Sequence, residues 1–301
     1  MTKELFLLAI LDGVSSAALL FLAALGLTLI FGVMRILNVA HGSLYAFGGY
    51  LAATLGIVAG KLGLPQAFSL PVLFLAAAII GIVLGSILEI GLLRRILDKD
   101  PIIQLLVTFA AFMILEDGQR LIWGSQPVFV SDIVNQMGTS SIVGVTYTNY
   151  QLIVLPLVAL GELIGLRYFL NRTALGREIT AITHHREVAM AMGVNARRVS
   201  LITFVIGAVL GALGGALASP TTSLVPGIGA DIIVLSFAVI ATAGLGQIGG
   251  AAIAALMIGL GRSFAVYVFP ELDVLVPYII MLVVLLIRPQ GLFLGTQSRK
   301  I

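Results

Sequence analysis

The sequence predicts an all-α, polytopic transmembrane helical bundle of about eight or nine spans, several of them discontinuous helices. Three observations carry this expectation. Of the 301 residues, 59% are hydrophobic and only 10% are charged, against about 25% charged in an average soluble domain. The apolar residues fall into separate runs, each near the length that crosses a bilayer. The 17 Lys and Arg residues are clustered rather than dispersed, which is the pattern of membrane orientation and not of a nucleic-acid surface.

The runs in chain order are Phe6–Val33, Leu44–Ala59, Phe68–Leu92, Ile102–Ile122, Leu152–Leu170, Val199–Ala218, Ile232–Leu245, Ala251–Val268 and Val274–Ile287. Met1–Gly32 reads as a retained first membrane helix rather than a secretory signal: its apolar run is long, Asp12 interrupts it and no clear cleavage site follows. The 34 glycines suit membrane helices that pack closely. The chain, residues 1–301, reads as a single membrane domain.

Basic residues orient the spans. One cluster is Arg94, Arg95 and Lys99; a second runs through Arg167, Arg172, Arg177, Arg186, Arg197 and Arg198; a third is Arg288, Arg299 and Lys300. The positive-inside rule places all three on the cytoplasmic side. Leu121–Leu166 holds no Lys or Arg, and the only charge in Val199–Gly261 is Asp231. Loops around Ser125–Tyr150, Ser219–Ala230 and Pro270–Asp273 are therefore expected outside, with a cytoplasmic turn near Gly244–Gly250. The same logic puts Arg35 and His41 toward the cytoplasm and the N-terminus outside. Gly26–Ala53 and Ser236–Gly261 are both apolar helices broken by a Gly-containing turn, as in transporters with discontinuous helices; two glycine-rich packing seams are the alternative.

Four polar places stand out. Met34–Ser43 brings Arg, Asn, His and Gly into an apolar stretch, so Asn38 and His41 either line a translocation path or cap a helix after a short cytoplasmic hairpin. Asn171–Arg198 is the most charged region. Its helix-permissive run from Arg177 is expected to stop at Gly193, with a second short helix over Thr183–Met192 begun by Thr183. Such a segment suits docking to a soluble partner or contact with anionic lipid. Glu116 and Arg120, four residues apart, can pair on one helix face, as an interfacial ion pair or as the lining of an outer vestibule. Glu89, Glu162 and Arg262 fall inside apolar runs; both carboxylates lie toward span ends, whereas Arg262 sits in mid-span and is expected to pair with a carboxylate on a neighbouring helix.

Several chemistries are excluded. The chain has no cysteine and three histidines, which removes disulfides, thiolate metal sites and most metal chemistry. Gly60-Lys61 is followed by Leu62, so no phosphate-binding G-x-x-x-x-G-K-[ST] loop is present, and no catalytic signature appears.

Together these segments resemble the branched-chain amino acid permeases of ABC importers. The resemblance rests on Gly26–Met34 followed by Asn38-Val39-Ala40-His41-Gly42, and on Ala174-Leu175-Gly176-Arg177 through Arg186-Glu187 to Met192-Gly193-Val194-Asn195. Gly244–Gly250 and Arg288-Pro289-Gln290-Gly291-Leu292-Phe293 complete it. It covers essentially the whole chain. The chain departs from the family pattern at His184-His185, where a polar or acidic pair is usual, and at Gln247-Ile248, where Gly and Ser or Thr are common.

The resemblance implies an ABC importer permease fold in a bacterial inner membrane. It implies transport of branched-chain amino acids, with urea, other amino acids and aromatic acids as substrates of close relatives. Arg177, Glu178, His184, His185, Arg186, Glu187, Met190, Met192 and Gly193 would form the segment that couples to the motor. The translocation path would involve Asn38, His41, Glu116, Arg120 and Gln247. The implied partners are two ATPase subunits that bind the ATP, a second permease subunit, identical or related, and an extracytoplasmic substrate-binding protein, with membrane lipid around them. No cofactor, metal or nucleic acid is expected on this chain, and no enzymatic activity. An ion-coupled secondary transporter is the alternative, with Glu89 and Glu162 as its carboxylates; a channel is a third possibility, without a filter motif to support it.

Overall fold

The structure, a computed structural model, describes residues 2–63, 65–142 and 144–293. Arg299 and Lys300 of the third basic cluster lie outside the described residues. Every apolar run of the sequence is a helix. Spans of membrane length are α1 (Lys3–Met34), α2 (His41–Lys61) and α3 (Ser69–Leu88), the last extended by a π turn over Glu89–Leu93 and the short α4 (Arg94–Ile96). Next come α5 (Pro101–Trp123) and, past the short α6 (Asp132–Met137) and an antiparallel hairpin of β1 (Thr139–Ile142) and β2 (Val145–Thr148), α7 (Leu155–Arg172). The chain continues through α8 (Ala174–Ala191), α9 (Ala196–Ala218), α10 (Ile228–Ala243), α11 (Ile248–Val268) and α12 (Val276–Ile287). Among the described residues seven helices are long and apolar enough to cross a membrane, and α10 and α12 are shorter apolar helices. The expected eight or nine spans therefore resolve into seven full spans and two short ones.

Helices α1, α2 and α9 form the centre, and glycine sets how closely they meet. A methyl group at Gly26 would strike the carbonyl oxygen of Gly207, one at Gly48 that of Ala212, and one at Gly215 that of Tyr45. The α1–α11 crossing is built the same way, from Gly13 against Leu260 and Gly259 against Ala17. With no hydrophobic gain between helices in lipid, such close backbone approach is what holds them together. Helices α5 and α7 lie outside this centre and turn Leu106, Ile114, Leu157 and Ile164 outward.

The two ends of the bundle separate as the charges require. At one end Val128 and Leu224 form a bridge, and the β hairpin, the loop after α9, the α11–α12 loop and the first turns of α1 converge. This is the basic-poor end, the one the positive-inside rule assigns to the outside. At the other end Leu292 and Phe293 donate their backbone N–H groups to Thr242 and Ala243 carbonyls (2.9 and 3.0 Å), and Gly32 packs on Gly246. Both breaks expected in the apolar helices are present, at 35–40 and 244–247. Glycine seams accompany them, so the two explanations offered for the repeat are parts of one construction.

Candidate functional site

The first break is deeper than the sequence implies. Arg35, the C-cap of α1, takes the left-handed conformation at φ 57° and turns the chain back along the bundle. Residues 36–40 then climb beside α5: Thr108 donates to the Leu37 carbonyl at 3.3 Å, and Ser43 donates to that of Phe112 at 3.5 Å. His41 begins α2 with Nε2 3.1 Å from the carbonyl of Ala23. Ala23 lies eleven residues before Met34, about 16 Å along the helix. His41 is thus near the bilayer middle, not at the cytoplasmic side. Neither Asn38 nor His41 caps α2, whose N-cap is Ala40 with no side-chain cap bond. Both are instead buried (1 and 2% exposed), and among the described residues both amide atoms of Asn38 and Nδ1 of His41 lack a protein partner.

The remaining path residues lie elsewhere. Glu116 and Arg120 pair at 2.6 Å at the outer end of α5, with Asp117 a second partner at 3.4 Å. Gln247 is the N-cap of α11 in the cytoplasmic turn. Asn38 and His41 in the middle, Glu116 and Arg120 outside and Gln247 inside therefore mark three depths and form no single cluster.

The most charged segment is two helical pieces. Thr173 caps the first by accepting from the Gly176 N–H at 2.9 Å. Residue His185, at φ −144° and ψ 82°, breaks α8. The second piece thus begins after His185 rather than at Thr183, which lies within the first piece and donates its hydroxyl to the Ile179 carbonyl at 2.9 Å. Gly193 ends it at φ 92°, with Val194 N–H on the Ala189 carbonyl and Gly193 N–H on that of Met190, a Schellman cap. Ile179, Ile182 and Ala189 pack inward against Ala196 and Val199. Arg177, His184, His185, Arg186 and Glu187 are exposed and Glu178 is half-buried. Val188, Met190 and Met192 are also exposed, Met192 at 81%.

The charges inside spans resolve separately. Glu89 is buried in the π turn and paired with Arg94 at 2.8 Å. Arg262 is held bidentately by Asp273, at 2.5 and 3.1 Å. That partner comes from the outer α11–α12 loop rather than from a neighbouring helix. Glu162 is not toward an end: it sits midway along the Tyr150–Arg172 span, with both carboxylate oxygens buried and, among the described residues, without a hydrogen-bond partner.

Sequence reasoning missed the polar hub at the outer end. The hydroxyls of Tyr147 on β2 and Tyr267 on α11 donate to the two oxygens of Asp12, at 2.7 and 2.5 Å. Burial, and then the hydrogen bond to Asp12, push the Tyr147 phenol well above its ordinary range. Beside the hub lie two adjoining cavities of about 400 and 310 Å³ that share Ser16, Leu19, Thr222, Arg262 and Asp273. The usable signal was Asp12 with Ser15 and Ser16, three and four residues on, on one face of an apolar helix.

A bundle knitted by glycines, interrupted at mid-depth and carrying a charged helix pair at its basic end, is the architecture of a polytopic membrane protein. The chain belongs to the family described as branched-chain amino acid transport system permease component, whose model matches residues 9–285. It is similar to the high-affinity branched-chain amino acid permease BraD of Pseudomonas aeruginosa, 26% identical with 98% of each chain covered. The LivH permease of Escherichia coli is likewise 26% identical, again over 98% of each chain. A protein of Methanocaldococcus jannaschii named a probable branched-chain amino acid transport permease, LivH, is 30% identical, over 96% of this chain and 93% of that one. Among solved structures, PsaBC from Streptococcus pneumoniae in complex with Fab is a distant likeness, at TM-score 0.46 and 16% identity over 96% of this chain and 92% of that one. The chain is a permease subunit of an ABC importer and a multi-pass inner-membrane protein.

Proposed function

We propose that this permease carries branched-chain amino acids inward, driven by two separate ATPase subunits that bind the nucleotide and dock on α8. A second permease subunit completes the pathway, and an extracytoplasmic binding protein delivers substrate to the outer loops. The observation that carries the docking is the second half of α8. Val188, Met190 and Met192 are exposed among Arg186, Glu187 and the two histidines, while Ala189 and the Gly193 cap hold the piece rigidly on the bundle. Exposed apolar side chains ringed by charge suit a protein groove. A helix fixed at both ends transmits a rigid-body displacement, which a loose loop would absorb. The sequence supplies no nucleotide loop of its own, so the motor belongs to the partners.

The test is reconstitution. Proteoliposomes with the full assembly are expected to take up leucine, isoleucine and valine only with ATP inside the ATPase compartment. Met190→Ala with Met192→Ala is expected to lose ATPase association while insertion and melting stay unchanged. Uptake by this chain alone would sink the reading.

The unpartnered Glu162 carboxyl at mid-span favours a second reading, coupling to an ion gradient. Glu162→Gln separates the two: ATP-driven uptake is expected to persist in the variant, and its loss together with dependence on a proton gradient would favour ion coupling.

A further inference from the structure

We infer that the outer cavity between α1, α10 and the α11–α12 loop is a binding chamber within a single subunit for an aliphatic α-amino acid in its zwitterionic form. This rests on the importer reading and names residues for it.

The larger cavity, about 400 Å³, has a mixed lining. Its volume falls within the range of small-molecule sites. Leu19, Leu20, Ile232, Leu235 and Pro277 give it apolar surface. Thr222, Asp231, Arg262 and Asp273 give it polar groups. Ile228, Asp231, Ile232 and Leu235 line it together because spacings of three, four and seven residues put them on one face of α10. Three of them offer aliphatic surface; the fourth is a carboxylate.

The charges in the lining are unequal in their commitments. Arg262 and Asp273 neutralise each other, though Arg262 keeps 34% of its side chain exposed. Asp12, in the adjoining cavity, already accepts two phenol hydrogen bonds. Asp231 is exposed and, among the described residues, makes no ion pair. It is therefore the carboxylate free to receive an ammonium group. The opposing carboxylate of the ligand has the Thr222 hydroxyl and the open edge of Arg262 as donors. Two carboxylates, Asp231 and Asp273, against one guanidinium make the chamber negative, so it should hold a cationic head more readily than an anionic one. A branched aliphatic side chain would lie against Leu19, Leu20, Ile232 and Leu235. The chamber discriminates by both ends: it should refuse an acid that lacks the amine.

The absence of native cysteine permits a direct test. Single-cysteine variants Ser16→Cys and Thr222→Cys of the full-length chain, with Ser141→Cys on the outer hairpin as control, are placed in proteoliposomes. A membrane-impermeant maleimide is added from outside. With L-leucine at ten times its dissociation constant, labelling of both chamber cysteines is expected to slow by about tenfold, as mass action requires, while Ser141→Cys is unaffected. 4-Methylpentanoate, which lacks the amine, should not protect, and Asp231→Asn should remove protection by leucine. Labelling unchanged by leucine, isoleucine and valine would overturn the proposal. So would equal protection by 4-methylpentanoate, or protection by added phospholipid alone, which would make the cavity a lipid crevice. Failure of ATP-driven uptake by the wild-type assembly would count against the importer reading instead, and leaves the labelling result readable.

Discussion

The imidazole of His41 lies in a slot between Gly26 of α1 and Gly211 of α9, with Nε2 3.1 Å from the Ala23 carbonyl oxygen. A carbonyl only accepts, so Nε2 carries the proton and Nδ1 is the bare, buried nitrogen. The ring thereby joins the start of α2 to the middle of α1.

His41→Ala removes that bond and leaves a void against two glycines. A loss of about 2–4 kcal/mol is expected from the lost hydrogen bond and the cavity together. Thermal unfolding of the purified full-length chain in detergent measures it. His41→Gln, which retains a donor, should recover part of the loss; equal damage from both variants would show that shape alone matters.

The glycine seam makes a paired prediction. At Gly48 an added methyl meets the Ala212 carbonyl, whereas at Gly60 nothing lies within 4 Å. Gly48→Ala should force α2 from α9 at a cost of about 1–3 kcal/mol or more. Gly60→Ala should leave melting unchanged or raise it slightly, because alanine is the better helix former. Similar melting temperatures for the two variants would contradict the close packing.

The Asp12 hub ties the outer hairpin to two helices. Asp12→Asn weakens the two bonds from Tyr147 and Tyr267 and should cost about 2 kcal/mol, since hydrogen bonds to a charged acceptor are the stronger kind. Protease cleavage at the β1–β2 turn should quicken accordingly. The pH dependence has a definite sign. Because the folded Tyr147 pKa is raised, its contribution is complete below the unfolded tyrosine value of about 10. It falls as pH rises above that value toward the folded one. Hairpin protection should be flat from neutral pH to about 9 and decline above 10; Tyr147→Phe should lessen that decline, and Tyr267, which donates to the same carboxylate, should supply the remainder.

Gly193 closes the α8 cap at φ 92°, where a Cβ costs roughly 1–2 kcal/mol. Gly193→Ala should therefore fray the piece that carries Val188, Met190 and Met192 while leaving the bundle intact. The expected result is unchanged global melting, faster amide exchange at Ala189–Met192 and weaker ATPase stimulation. Unaltered exchange in that segment would show that the cap is not what holds it.

Much of the architecture was readable along the chain. Each apolar run announced its helix, and the Lys and Arg clusters sorted the loops to two ends. The Glu116–Arg120 pair and the Gly193 cap followed from spacing alone. These features are local: a helix periodicity, a four-residue interval and a left-handed stop depend on neighbours within a turn or two. The break at His185 was misplaced by two residues. Thr183 has the residue type of a start signal, but the helical backbone runs on through it as far as His185.

By itself the sequence determined the class and the places of the apolar helices along the chain. Only the tertiary structure decided depth and partnership. It carried His41 to the middle of the bundle and gave Arg262 to Asp273. It also brought Asp12 to tyrosines 135 and 255 residues away. The reason is physical. Composition and periodicity report which residues prefer lipid or water, but several helix faces here are apolar alike. Which faces meet is settled by where glycine lets two backbones approach, and that is a property of pairs of helices, not of either one.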